Sequence, residues 1–401
     1  MERIKMESTK QPNKPLGYLT TIGHACCDMN QAAVPALLPF LVAQRNIDYT
    51  AAAGLMFASH ILSSLIQPPL GMIADRRQMH WLMGVGILIA GIGIAAVGFL
   101  DNYWGIFAAV MLAGVGAALF HPEGGRMANY VAGDKKGRAM SNFSVGGSLG
   151  FIIGPVVTVF SVTTWGLQGI AVLMIPTIIV TAAFFFVQKR FVQLSGAVKR
   201  EARENAGEKG QQDDWPAFSR FCISIFARSI VHGGLQTFIP LYWMSVLIQT
   251  QQQGSLMVTV MAIAGAIGTF YGGRLADYFG FRRIIRFSLA TVFPLIVLMV
   301  LTRNVWIATI FVLLFSATNS LAHSPSVALG QKYLPNRLGL ASGVTMGLAF
   351  CMGGIFSPVL GRIGDNYGLE TTLLVISGFA LVAFLGSLLL RKPMSSQEKL
   401  D

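Results

Sequence analysis

Long apolar runs, separated by short polar turns, follow one another through nearly the whole chain. A helix needs about 20 predominantly apolar residues to cross a hydrocarbon core. With no water in the core to bind the backbone, such runs must be helical. Twelve candidate spans follow, at 17–43, 50–74, 82–100, 104–126, 139–161, 168–187, 217–245, 255–276, 284–302, 305–330, 339–361 and 370–390. The stretch between the sixth and seventh is different: it carries Lys199, Arg200, Glu201, Arg203, Glu204, Glu208, Lys209, Asp213 and Asp214 and few apolar residues. The pattern predicts an all-α polytopic membrane protein of twelve transmembrane helices. A six-helix bundle is expected over 1–190, a cytoplasmic linker over 191–216 and a second six-helix bundle over 217–401.

Composition agrees. Charged residues are 12% of the chain and apolar ones 53%, against about 25% charged in soluble domains, so lipid must be the solvent for most of the surface. A net charge of +12 would in a soluble protein suggest nucleic acid. Here the basic clusters Arg76–Arg77, Lys135–Lys136–Arg138, Lys189–Arg190, Arg282–Arg283 and Arg391–Lys392 fall on one side of the predicted membrane, and only Arg45, Arg303 and Arg362 on the other. That is the positive-inside pattern with both termini cytoplasmic. The expected setting is a bacterial inner membrane, with the bilayer as partner, no nucleic acid and a monomeric chain. Cys26, Cys27, Cys222 and Cys351 read as small packing residues. Residues 1–16 are polar and basic and the first apolar run is too long for a signal h-region, so no cleaved signal is expected.

The two halves repeat each other. Gly71, Asp75, Arg76 and Arg77 close the second span, and Gly273, Asp277, Arg282 and Arg283 close the eighth; Asp75 and Asp277 are 202 residues apart. His121 and His323, and Gly137 and Gly339, keep the same offset of 202. Two similar halves around a central site are a recurring design of secondary transporters.

The G-x-x-x-D loop with following arginines, present in both halves, resembles the signature loop of the major facilitator superfamily, over residues 15–392. Four segments further resemble its fosmidomycin-resistance efflux group: Gly23 and His24 with Asp28 and Pro35–Pro39; Gln67, Pro68 and Pro69; Phe120–Gly124; and the glycine-rich fifth span. The resemblance implies the major facilitator fold and proton-driven efflux of antimicrobial compounds such as phosphonates. The first signature loop has Gln78 for the usual glycine, and the second has Tyr278 for the usual arginine. Gly150, Gly154 and Pro155 are similar to the core of the antiporter motif, while Ser141 and Thr158–Val159 depart from its flanks.

Several residues could carry chemistry. An aspartate at a helix end beside arginines can latch neighbouring helices, so Gly71, Asp75, Arg76, Gly273, Asp277 and Arg282 are expected to form a gating latch. In the first span His24, Asp28 and Gln31 fall at i, i+4 and i+7, on one helix stripe. Ionisable groups inside a span are functional candidates by default, and Asp28 with His24 is the expected proton-coupling pair. Phe120-His121-Pro122-Glu123-Gly124 ends the fourth span. Pro122 removes a helix hydrogen bond, and Glu123 is a second candidate proton carrier, or else the partner of Arg126. Arg228, His232 and Gln236 line one stripe of the seventh span. Arginine keeps its charge, so Arg228 pairs with Asp28 across the halves or binds an anionic substrate. Gln31, His121, Arg228, His232 and Gln236 are the expected substrate-binding set, and His323 is expected to be structural. Gly146, Gly147, Gly150, Gly154 and Pro155 give the fifth span a face for close helix contact.

No H-E-x-x-H and no cysteine–histidine cluster occurs in the sequence, so neither a catalytic set nor a bound metal or cofactor is expected. The leading expectation is proton-coupled efflux of small anionic or amphiphilic antimicrobial compounds by alternating access. A proton-coupled uptake permease for an organic anion or sugar-like solute is the alternative.

Overall fold

The computed structural model describes residues 12–76, 79–132, 136–204, 212–335, 337, 340–341, 344–345 and 349–391. Among these residues every regular element is helical. The order is α1 (Lys14–Arg45), α2 (Tyr49–Arg76), α3 (Trp81–Val97), α4 (Tyr103–Tyr130), α5 (Lys136–Trp165), a 3₁₀ helix (Leu167–Leu173), α6 (Met174–Glu204), α7 (Trp215–Ser245), α8 (Gln251–Phe279), α9 (Phe281–Leu301), α10 (Val305–Leu321), α11 (His323–Tyr333) and α12 (Ala349–Leu388).

Caps fix where helices begin. Asn102 accepts from the Gly105 backbone N at 2.7 Å to start α4. Asp214 accepts from Ala217 N at 3.0 Å to start α7, and Thr250 with Gln253 forms a capping box on α8. Gly280, at φ 91°, separates α8 from α9, and Gly368, at φ 84° and ψ 161°, breaks α12 into two arms; glycine is the residue that holds such angles without strain.

Nine helical segments among the described residues are long and apolar enough to cross a membrane, and α3, at 17 residues, is apolar but shorter. The span at Leu167–Gly196 has a mean hydropathy of 2.6, and Phe186 within it is 88% exposed. A surface of that kind is stable only against lipid.

Contacts divide the chain into two compact units, residues 1–37 with 61–208 and residues 38–60 with 209–401. In the first, small residues let backbones meet. A Cβ on Gly116 of α4 would stand 2.4 Å from Ala90 N and 2.5 Å from Gly86 O of α3. Along α5, Gly146, Gly150 and Gly154 lie against Thr21 O, Ala25 O and Met29 O of α1, each at 2.6 Å or less from the position of a missing Cβ. The glycine face expected on the fifth span is therefore the surface on which α1 lies, and three successive turns of one helix match three of the other.

In the second unit α7 meets α12 in the same manner, with Gly233 packed against the Gly353 backbone. Phe218, Phe221, Leu329 and Tyr333 form a buried apolar cluster beside them. The start of α2 belongs to this unit. Asp365 Oδ1 accepts from Tyr49 N at 2.8 Å, and its Oδ2 accepts from Thr50 N at 2.9 Å and from Thr50 Oγ1 at 2.5 Å. A carboxylate on α12 thus caps the positive end of α2, and Tyr49 Oη donates to Ser245 Oγ at 2.9 Å.

Replacing Gly116 by alanine puts a methyl group onto backbone atoms that cannot rotate away. It should destabilise the protein by about 1–3 kcal/mol. Gly125→Ala, which meets nothing within 4 Å, is the neutral control. Thermal unfolding of the purified protein in detergent checks this, and an unchanged midpoint for Gly116→Ala would refute the close α3–α4 packing.

Candidate functional site

The fit of α1 onto α5 decides what surrounds Asp28. Gly147 stands where any side chain would collide: a Cβ there would lie 2.7 Å from Asp28 Oδ2 and 2.8 Å from His24 Nε2. The carboxylate is buried and takes two contacts. His24 Nε2 lies 3.2 Å from Oδ2, and His121 Nε2, reaching across from α4, lies 3.0 Å from Oδ1. The other nitrogen of each ring is committed to the backbone: His24 Nδ1 donates to Phe143 O at 2.7 Å, and His121 Nδ1 donates to Ala117 O at 2.8 Å. Phe143 stacks on His24 with ring centroids 4.0 Å apart, and Phe120 closes the site beside both imidazoles.

This arrangement sets the proton count. A carbonyl only accepts, so each ring carries its hydrogen on Nδ1. Each Nε2···O contact then needs one proton between its two atoms. The His121 Nε2···Asp28 Oδ1 hydrogen bond holds such a proton at 3.0 Å, and His24 Nε2 stands at ion-pair distance from Oδ2. Withdrawing a proton leaves a bare Nε2 facing a carboxylate oxygen, lone pair against lone pair, and one ring must swing off. These are also donor atoms within 4.8 Å of one another, the spacing of a metal site, but hydrogen bonds to one another and to two carbonyls already account for their placement.

The model of the Major Facilitator Superfamily matches residues 20–358. The chain belongs to the major facilitator superfamily. It is 29% identical over 396 residues to the "Uncharacterized MFS-type transporter YfnC" of Bacillus subtilis, covering 96% of each chain. It is 26% identical over 388 residues to the "Fosmidomycin resistance protein" of Escherichia coli, covering 94% of each. Among solved structures it resembles an inward-facing, occupied bacterial homologue of the human lysosomal transporter Spinster, with a TM-score of 0.78, 13% identity and 95% of this chain and 97% of that one covered. The fold is the major facilitator fold, and the chain is a membrane transporter, not an enzyme.

Other expected site residues fall in different places on this superfamily scaffold. Gln31 Nε2 donates to Ala113 O at 3.1 Å, tying α1 to α4. Glu123 sits in a second buried cluster, one oxygen on His80 Nδ1 and the other on Arg126 Nη2, while His80 Nε2 lies 2.7 Å from Ser195 Oγ of α6. His80 has no spacing relation to Glu123 in the sequence. Arg228 and His232 are half-buried on α7, as is Gln236, and Arg228 Nε donates to Asn319 O at 3.0 Å. Of the expected latch, the side chains of Asp75 and Arg76, together with Gly71, lie outside the described residues. Asp277 is exposed and Gly273 half-buried. Arg282 Nη1 donates to Leu390 O at 3.3 Å, and Arg286, which the motif does not single out, donates to Ser387 O and Leu388 O at 3.1 and 3.0 Å. The two arginines thus satisfy carbonyls at the end of α12, where a helix favours cations.

Glu123→Gln removes the carboxylate that Arg126 and His80 share. Breaking a buried ion pair on one side costs about 3–5 kcal/mol, and Glu123→Gln/Arg126→Met should recover part of the loss by removing the other charge of the pair. Thermal unfolding of both variants tests the coupling, and additive effects would contradict it.

Proposed function

We propose that this transporter is a proton-coupled exporter of small anionic or amphiphilic antimicrobial compounds, such as fosmidomycin-like phosphonates, working by alternating access. The reading rests on one observation, the buried Asp28 carboxylate held by two imidazoles whose tautomers are set by backbone carbonyls. Asp28 and His24 carry the coupling proton, and His121 joins them. Glu123, paired with Arg126 and His80, is a second ionisable site on the same unit. Arg228, His232 and Gln236 face the substrate.

Coupling follows from the proton count. The three groups come from α1 and α4, and the carbonyl that holds His24 comes from α5. The loaded cluster binds these helices together. Loss of a proton to the cytoplasmic side breaks one Nε2···O contact and frees one imidazole, so the three helices rearrange only as the proton leaves. A membrane potential and pH gradient directed inward would drive this cycle toward export. The similarity to a protein named for fosmidomycin resistance supports the substrate class.

Inverted membrane vesicles provide the test. Acidifying the lumen should drive accumulation of a phosphonate substrate. Asp28→Asn should lose that gradient-driven accumulation and keep exchange of labelled for unlabelled substrate without a gradient. His24→Gln and His121→Gln should each shift the pH dependence of flux. Full gradient-driven flux in Asp28→Asn would sink the coupling assignment. Substrate leaving the vesicles together with protons would favour a proton-coupled uptake permease for an organic anion or sugar-like solute.

A further inference from the structure

Three helices of the first unit meet at a polar cluster apart from Asp28. His80 is the residue before α3, Glu123 lies on α4 and Ser195 on α6, and each is at most 3% exposed. Glu123 divides its two oxygens: Oε1 lies on His80 Nδ1, and Oε2 accepts from Arg126 Nη2. His80 Nε2 lies 2.7 Å from Ser195 Oγ, which in turn donates to Val192 O at 3.0 Å. A hydroxyl has one hydrogen to give. With that hydrogen on Val192 O, Ser195 accepts from the ring, so His80 carries its hydrogen on Nε2.

Nδ1 of the neutral ring is then bare and faces a carboxylate oxygen. Two acceptors hold together only with a proton between them, so this contact needs one proton beyond those of a neutral imidazole and an ionised acid. Without it, lone pair faces lone pair, the ring swings away, and the bond to Ser195 goes with it. Among the described residues the charged group on the pair is Arg126. His121 on α4 is turned to Asp28, Lys189 and Arg190 of α6 are exposed, and α3 and α5 from Ala139 on hold no ionisable side chain. Phe120, beside His24 and His121, meets Phe184, which stacks on Phe191 one turn before Ser195. The link from one cluster to the other thus runs through rings that carry no proton.

We propose that His80 and Glu123 form a second proton-binding site, whose one shared proton clasps the start of α3 to α4 and α6, with Ser195 as the positioning residue that sets the ring's hydrogen. The tautomer is the reverse of that in the Asp28 cluster, where carbonyls hold the hydrogen on Nδ1. The two sites therefore load separately. The positive-inside pattern puts the turn between α2 and α3 on the cytoplasmic side, and that is the side with which this site exchanges its proton. A rise in cytoplasmic pH empties it: the proton goes to water, the imidazole is left neutral and the acid ionised, and the start of α3 is freed from α6. The export reading places the coupling proton on Asp28; the His80 site goes beyond that reading and does not rest on it.

Nitrogen-15 spectra of the full-length transporter, labelled in its histidine rings and titrated between about pH 5 and 9, test the site, with His80→Gln identifying the signals. Neutral His80 should carry its hydrogen on Nε2, and its Nδ1 signal should move with pH. Asp28→Asn should leave that curve in place. Glu123→Gln should move it to lower pH by about one unit or more, as loss of an adjacent opposite charge does. Ser195→Ala removes the acceptor, so the neutral ring should turn its hydrogen to Nδ1 and donate to Glu123; this variant carries the test if Glu123→Gln does not fold. Hydrogen on Nδ1 in the neutral wild-type ring, or still on Nε2 in Ser195→Ala, overturns the site. So does a ring that keeps one protonation state throughout, or a curve that Asp28→Asn displaces as far as Glu123→Gln. The spectra need no substrate, so their failure leaves the export reading standing. Full gradient-driven flux in Asp28→Asn would remove that reading and leave His80 untouched.

Discussion

A carboxylate in the hydrocarbon zone of a membrane protein is tolerated only where neighbours supply protons or charge, and Asp28 has both in two imidazoles. Much of the first unit is arranged around that requirement. His24 comes from one turn earlier on the same helix, His121 from α4. Backbone carbonyls of Phe143 and Ala117 hold the far nitrogens, so each ring aims a defined atom at the carboxylate. Packing enforces this: Gly147 leaves room for the cluster, and Gly146, Gly150 and Gly154 bring α5 against α1 closely enough for Phe143 O to reach His24. An enlarged residue on that stripe would disturb both packing and chemistry, because the same contacts serve both.

The two units divide the ionisable chemistry. The first carries the buried acids, Asp28 and Glu123, each with histidine beside it. The second carries Arg228 among histidines, and an exposed acid, Asp365, that caps a helix. The duplicated scaffold thus carries buried carboxylates beside histidines in one unit and an arginine near histidines in the other. Shifting His24 and Asp28 by the repeat offset of 202 lands on Phe226 and Ile230, which can exchange no proton.

The membrane class and the helical fold were legible because they rest on composition and on local spacing. The His24–Asp28 pair was legible for the same reason: i and i+4 share a helix face whatever the fold. The role of His121 was not, since its contact with Asp28 spans 93 residues and depends on how α4 lies against α1. Backbone acceptors such as Phe143 O carry no side-chain signature at all. His80 opposite Glu123, and Arg282 and Arg286 on the end of α12, were hidden likewise: their partners are set by packing between helices, which periodicity along one helix cannot encode. The glycine face of α5 was visible as a stripe, but which helix it receives, and that Gly147 borders the Asp28 carboxylate, required the fold.

The central claim is that two carbonyls fix both histidine tautomers so that Asp28 shares its protons through Nε2. Nitrogen-15 spectra of the transporter labelled in its histidine rings measure this directly, with His24→Gln and His121→Gln spectra assigning the signals. Both rings should carry hydrogen on Nδ1 at every pH, while their Nε2 signals titrate together and lose that linkage in Asp28→Asn. A neutral ring with hydrogen on Nε2 alone, or two histidines that titrate independently of each other and of Asp28, would contradict the account.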